Sequence, residues 1–310
     1  MADSDDSRRV LPPGAVISTF AAPDGWPLRR TDWRQPAPAN ARGNLLFAGG
    51  RGDFIEKYLE AYHWWHARGW NVTAFDWRGQ GRSRKPGDPG SADFDLRARD
   101  LVALIDAWMG EAEGPHVAIG HSMGGHLLLR ALIEARPALD AAVLVAPMLL
   151  INSAPVPAWL APKVAAAMVL AGRGDRTVWR TPATVPVGSQ RQRFLTHSPE
   201  RYADELWWWE QAPEFNVGTP SWRWIGESYR SARESFTPAR LASVEVPILI
   251  LAAEHDRLVS GKATRRAARL LPKATLHFYP DAAHEILRER DDVRLDALAR
   301  IEAFCDEHAR

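Results

Sequence analysis

The sequence predicts an α/β protein: a doubly wound, mostly parallel sheet with antiparallel N-terminal edge strands and an inserted helical cap. Three observations predict it. Short apolar, β-branched runs alternate with runs of helical period along most of the 310 residues, the pattern of parallel strands joined by helical crossovers. The alternation stops between about Met148 and Thr237. And Gly120-His121-Ser122-Met123-Gly124 stands between a strand and a helix, where only a sharp turn can join them.

Taken in order, Val16–Phe20 and Leu28–Trp33 are separated by a short Pro-Asp-Gly turn and read as an antiparallel hairpin on the sheet edge. Asn44–Ala48 is a strand ending in Gly49-Gly50, and Glu56–Arg68 has helical spacing closed by Gly69. Val72–Asp76 is a strand, and Arg78–Ser83 a loop. Phe94–Trp108 is an amphipathic helix with Leu101, Leu104, Ile105 and Trp108 on one stripe. His116–Gly120 leads into the turn at Ser122, and Gly125–Ala135 is the helix beyond it. Ala141–Ala146, Pro247–Ala252 and Thr275–Tyr279 are further strands, with helices at Lys262–Leu271 and Glu285–His308. This divides the chain into a first core part (1–147), a cap (148–237) and a second core part (238–310). No internal repeat or low-complexity tract interrupts it.

Composition narrows the function. A formal net charge of +1 offers no field to steer nucleic acid or anionic lipid. With one cysteine, Cys305, there is no intrachain disulfide, and a metal site would need histidines and carboxylates; no metal or cofactor is expected. The polar start Met1–Arg9 runs into Val10-Leu11-Pro12-Pro13, which is no secretory core, and no run of 18 apolar residues exists. The expectation is a cytoplasmic protein.

The chemistry centres on Ser122. The turn forces this serine into a strained conformation with its hydroxyl outward, and glycines two before and two after keep side chains from striking the neighbouring strand and helix. Serine is a poor nucleophile without a base, and the base needs an orienting carboxylate. In an open parallel sheet the working groups lie just past the carboxyl ends of strands. Asp256 follows one strand and His284 the next, and serine, aspartate, histidine is the chain order expected of this architecture. Glu254 and Asp281 are rivals for the acid. Among the other histidines, His121 and His255 are expected to face away by alternation, and His126 to pack. His63, His66 and His197 have no strand end behind them. The backbone N–H of Met123 is expected to hold the oxyanion, with a second donor from the Gly49-Gly50-Arg51-Gly52 loop, where glycines let backbone approach substrate. The loop lacks the Gly-Lys-Ser/Thr ending of a phosphate cradle.

The segments Gly50-Arg51-Gly52-Asp53-Phe54-Ile55-Glu56-Lys57-Tyr58, Asp76-Trp77-Arg78-Gly79-Gln80-Gly81-Arg82-Ser83 and Gly120–Gly125 resemble the bacterial lysophospholipase L2 and monoacylglycerol lipase group of α/β-hydrolases, over roughly residues 40–150 and 240–290. The resemblance implies a triad of Ser122, Asp256 and His284, with Arg51 and Met123 supplying the oxyanion N–H groups. Monoacylglycerol lipases usually carry His-Gly before the oxyanion residue. Here it is Gly49-Gly50, which favours the lysophospholipase-like branch.

The cap holds Trp159, Trp179, Trp207, Trp208, Trp209, Trp222 and Trp224, half of the fourteen tryptophans. Most should form the cap's own core, but three consecutive tryptophans cannot share one helix face. At least one of Trp207, Trp208 and Trp209 is therefore expected at the cleft or in solvent, as a substrate contact. The apolar run Ala158–Leu170 is expected to pack, with contact to a membrane surface as the alternative. The predicted partner is a small-molecule ester or lipid. A dehalogenase would need Asp at position 122. Three alternatives stay open: a small-ester esterase; an aminopeptidase, for which Glu205, Glu210, Glu214 and Glu227 could bind an amine; and, outside catalysis, a ligand-binding receptor or scaffold.

Overall fold

The computed structural model describes residues 6–37, 41–84, 92–179 and 185–309. Met1–Asp5, part of the polar start, lies outside the described residues. The strands are β1 (Val16–Ala21), β2 (Pro27–Trp33), β3 (Gly43–Ala48), β4 (Trp70–Phe75), β5 (His116–His121), β6 (Ala141–Val145), β7 (Ile248–Ala253) and β8 (Ala274–Tyr279). They form one sheet in the order β1-β2-β4-β3-β5-β6-β7-β8. β1 and β2 pair antiparallel, as does β2 with β4, and every other pairing is parallel. The fold is the α/β architecture expected, with the hairpin on its edge.

Alternation along each strand builds two cores. Leu45, Phe47, Val117, Ile119, Val143, Leu249 and Leu251 face one side, packed with Tyr58, Trp65, Leu298 and Ile301. Leu46, Ala48, Ala118, Leu144, Ile248 and Ile250 face the other, packed with Leu104, Trp108, Leu127 and Leu132. Burial on both faces explains why the central strands read as continuous apolar runs.

The helices are α1 (Asp6–Arg9), α2 (Leu59–His66), α3 (Phe94–Met109), α4 (Met123–Glu134), α5 (Ala161–Leu170), α6 (Gln190–Leu195), α7 (Pro199–Gln211), α8 (Trp222–Ser235), α9 (Pro238–Ala242), α10 (Gly261–Leu270) and α11 (Asp291–His308). Two differ from expectation. The Glu56–Arg68 run opens as a 3₁₀ turn over Ile55–Tyr58, and α2 ends at His66. The final helix begins at Asp291, after a separate 3₁₀ turn at Ile286–Arg288. The buried Glu289 carboxylate accepts the N–H groups of Ala283 and His197, which pins the chain before the helix, and Asp291 and Asp292 then suit its positive N-terminal end.

Helices α5 to α9 all lie between β6 and β7, and the described residues there add no strand to the sheet. α5 packs on α8. Packing covers only part of α5: Ala161 and Ala165 are buried, while Leu170 stays 88% exposed. Among the described residues no helix is long and apolar enough to cross a membrane.

Candidate active site

Ser122 sits between β5 and α4 with φ 51° and ψ −112°, a region non-glycine residues avoid. Strand and helix are locked around it, and the glycines show how tightly. A Cβ on Gly124 would lie 2.0 Å from the Ala48 carbonyl oxygen, and one on Gly120 2.7 Å from backbone atoms of Gly124 and Gly125. Gly124→Ala is therefore expected to destabilise the fold by about 1–3 kcal/mol or more, as overpacking does. A thermal melt checks this, and an unchanged midpoint would contradict it.

Three side chains separated widely in sequence converge at the carboxyl ends of β5, β7 and β8. Ser122 Oγ lies 2.9 Å from His284 Nε2, and His284 Nδ1 lies 2.7 Å from Asp256 Oδ2. The other Asp256 oxygen accepts the N–H groups of Leu258 at 2.7 Å and Val259 at 3.0 Å. All three residues are buried. Burial would raise the Asp256 pKa, but His284 and the two N–H donors hold it below the ordinary value. Burial would lower that of His284, and Asp256 more than offsets this, so it lies above the ordinary imidazole value. The rivals for the acid are elsewhere: Glu254 pairs with Arg265, and Asp281 is exposed.

Met123 is the first residue of α4, so its N–H has no acceptor within the helix and lies at the positive end of the helix, next to Ser122. The Gly49–Gly52 loop lies alongside: a Cβ on Gly50 would fall 3.0 Å from that of Ser122. Asp53 shapes this loop by accepting the Gly50 N–H at 2.5 Å, and Gln80 accepts that of Gly52. Among the described residues no acceptor is found for the Arg51 N–H.

His121 corrects the expectation that it faces away. Its ring centroid is 5.0 Å from that of His284, and its Nδ1 is 2.8 Å from Asp53 Oδ2 and 2.9 Å from the Tyr58 hydroxyl. Alternation puts His121, the last residue of β5, on the face of Val117 and Ile119, and that face is where Tyr58 and Asp53 pack. His255 is exposed. His126 is buried, bonded to the Met148 carbonyl and Ser231, and burial pushes its pKa down to about 3.

A buried ion cluster lies beneath the site. Lys57 Nζ contacts Asp53 at 2.8 Å, Glu285 at 2.6 Å and Glu205 of α7 at 3.4 Å, while Arg191 of α6 pairs with Glu205 at 2.8 Å and Arg288 with Glu285. Burial would lower the Lys57 pKa, but the carboxylates raise it. Sequence reasoning missed this cluster, because only the Asp53–Lys57 and Glu285–Arg288 spacings are local, and Glu205 and Arg191 come from elsewhere in the chain. α6 also touches the histidine loop directly, through Glu285 N–H to the Leu195 carbonyl at 2.7 Å.

Ser122 and His284 open into a cavity of about 890 Å³. Of the three consecutive tryptophans only Trp209 lines it; the structure does not bring Trp207 and Trp208 there. Trp208 packs inward and donates its indole N–H to the Arg8 carbonyl, and Trp207 lies under Arg9. Successive helix residues point about 100° apart, and α1, tied to Asp204 through Arg8 and Arg9, claims the other two directions. Trp179, Trp222 and Trp224 line the cavity instead. Among the described residues no cluster of side chains could hold a metal ion.

A parallel sheet carrying serine, histidine and aspartate in hydrogen-bonding succession past its strand ends defines the serine hydrolases of the α/β-hydrolase fold. The chain belongs to the serine aminopeptidase S33 family, whose pattern matches residues 39–291. It is 31% identical over 288 residues to lysophospholipase L2 of Escherichia coli K12, covering 85% of this chain and 80% of that one. It is 27% identical over 281 residues to the probable lysophospholipase L2 of Haemophilus influenzae, covering 87% and 85%. A soluble variant of monoglyceride lipase from Saccharomyces cerevisiae, solved with a substrate analog, shares the fold with a TM-score of 0.75 at 17% identity, over 97% of this chain and 98% of that one.

Proposed function

We propose that this carboxylic ester hydrolase cleaves the acyl ester of a lysophospholipid or monoacylglycerol through an acyl-enzyme on Ser122. His284 takes the Ser122 proton as Oγ attacks the ester carbonyl, and Asp256 orients the imidazole and stabilises its charged form. The N–H groups of Met123 and Arg51 receive the oxyanion. His284 then returns the proton to the departing glycerol oxygen, and water repeats the sequence in reverse to free the fatty acid.

The observation that carries this reading is the large cavity above Ser122, walled by Trp179, Trp209, Trp222, Trp224, Val164 and Ile225. That roof matches an acyl chain, and the lysophospholipase relatives point the same way. On this reading residues 148–237 are the cap. Each methylene buried is worth about 0.8 kcal/mol. Extending a p-nitrophenyl ester from four to eight carbons should therefore raise kcat/KM by about tenfold or more. Trp209→Ala should flatten that rise, while Trp207→Ala should not. A profile peaking at two or four carbons would leave a small-ester hydrolase.

The family's description favours an aminopeptidase as the second reading. An amine site needs an unneutralised acid in the cavity. Of the four glutamates named above Glu205 alone lines it, and Lys57 and Arg191 already neutralise it; the other acids there, Asp53 and Glu285, are held by Lys57. Glu214 and Glu227 pair with Arg82 and Arg230, and Glu210 is exposed. Preference for an aminoacyl amide over every ester would revive this reading.

Exposed apolar side chains in the cap support transient contact with a membrane surface: Trp159 is 67%, Trp179 56% and Leu170 88% exposed. Sedimentation with phosphatidylcholine vesicles should carry down the wild type and much less of a Trp159→Ser/Leu170→Ser variant. Equal recovery of both would count against the contact.

A further inference from the structure

Arg51 stands apart from the paired arginines of this protein. Five other buried or half-buried arginines have carboxylates: Arg29 has Glu56, Arg78 has Asp100, Arg191 has Glu205, Arg201 has Glu60 and Arg288 has Glu285. Among the described residues, no Asp or Glu makes an ion pair with Arg51, and the charge that acts on it is the like charge of Arg97. Its recorded contacts are a hydrogen bond from Nη1 to the Gly218 carbonyl at 2.9 Å and the face of Trp224 at 5.4 Å. Burial, with Arg97, pulls its pKa down to about 10, so the guanidinium is still protonated at neutral pH. Both Arg51 and Trp224 line the cavity that holds Ser122 and His284.

The carboxylates of that cavity are taken. Asp53, Glu205 and Glu285 are all engaged by Lys57, and Arg191 and Arg288 add further contacts to the two glutamates. Arg51 is half-buried, and a guanidinium partly withdrawn from water without a counter-ion carries a cost that an anionic ligand would relieve. Its remaining N–H groups form the planar fork that suits phosphate oxygens.

Its place in the chain says which anion. The same residue offers its backbone N–H to the oxyanion, so its side chain reaches one arginine length away from the scissile carbonyl. In a lysophospholipid the acyl ester and the phosphate stand at the two ends of one glycerol, a span of that order. A monoacylglycerol carries no charge there, and the carboxylate of a free fatty acid would lie at Ser122 itself. Resting on the lipid-ester reading above, we propose that the Arg51 guanidinium binds the phosphate of the substrate and selects lysophospholipids over monoacylglycerols.

The test compares 1-acyl-glycerophosphocholine with the 1-monoacylglycerol of the same acyl chain, in the same detergent micelles. Arg51→Gln keeps the backbone N–H, so any change in oxyanion support is common to both substrates and cancels in the ratio of their kcat/KM values. Loss of a charge-assisted contact should lower the lysophospholipid-to-monoacylglycerol ratio by about tenfold to a hundredfold, mainly through KM. Arg51→Lys should restore most of the ratio, which also guards against a variant that merely folds badly. An unchanged ratio in Arg51→Gln overturns the proposal and leaves Arg51 as a strut between its loop and Gly218. Inorganic phosphate supplies a second arm. If it inhibits through Arg51 while the lipid ratio stays unchanged, the site takes a free anion and the substrate assignment is overturned. A wild type that cleaves p-nitrophenyl esters but neither lipid would instead overturn the lipid reading itself, and this inference with it.

Discussion

Replacing Ser122 by alanine is expected to lower kcat by about 10⁴- to 10⁶-fold. The serine hydroxyl is the atom the backbone holds out at φ 51°, and it lies 2.9 Å from His284 Nε2. Without it no acyl-enzyme can form. What would survive is the slow attack of water in a site that keeps the proposed oxyanion donors and the cavity above them. Alanine removes one oxygen from a buried position and leaves the strained turn and its flanking glycines in place, so thermal stability should change little. A fluorophosphonate probe should label the wild type and fail to label Ser122→Ala. Full labelling of the variant would mean that another serine is the nucleophile.

The second large effect is expected at Asp256. Asp256→Asn should lower kcat by about 10⁴-fold, the size of loss seen when a triad aspartate is so replaced. The amide preserves shape, but it can present an N–H to His284 Nδ1 and so favour the tautomer that leaves Nε2 unable to accept the serine proton. The variant also predicts a shift in pH dependence. His284 must be neutral to act as a base, so activity in the wild type should rise with pH through a midpoint above the ordinary imidazole value, where Asp256 holds it against the lowering effect of burial. With the carboxylate gone, burial dominates, and the residual activity should rise at lower pH than in the wild type. Glu254→Gln and Asp281→Asn should cost far less, since Glu254 is held by Arg265 and Asp281 faces solvent. A greater loss in Glu254→Gln, or an acid limb that stays in place in Asp256→Asn, would refute the assignment.

The features legible in the sequence were those that depend on neighbours along the chain. A strand declares itself by an apolar run, a helix by its period and ends, and the turn at Ser122 by glycines whose absent side chains make room for backbone. The order of strands and helices then leads to a parallel sheet, and a parallel sheet presents its loops at one end. That is why Ser122, Asp256 and His284 could be named before any distance was known. The distances of 2.9 and 2.7 Å between them belong to the structure.

Tertiary structure alone decided the rest. Which of Trp207, Trp208 and Trp209 reaches the cavity depended on α1, a segment about 200 residues away that covers the other two. His121 met Asp53 and Tyr58 because the fold packs their segment on the face that His121 shares with Ile119. Lys57, Glu205 and Glu285 are ordinary surface residue types in the sequence, yet they meet in the interior. The sequence singled out Arg51 for its backbone N–H by resemblance, but that the carboxylates around its side chain are engaged by Lys57 is visible only in the fold. Periodicity and turn chemistry act over a few residues and are written locally. Charge pairing, burial and the direction of a side chain depend on whatever the fold brings alongside, and one chain read in order does not contain those distances.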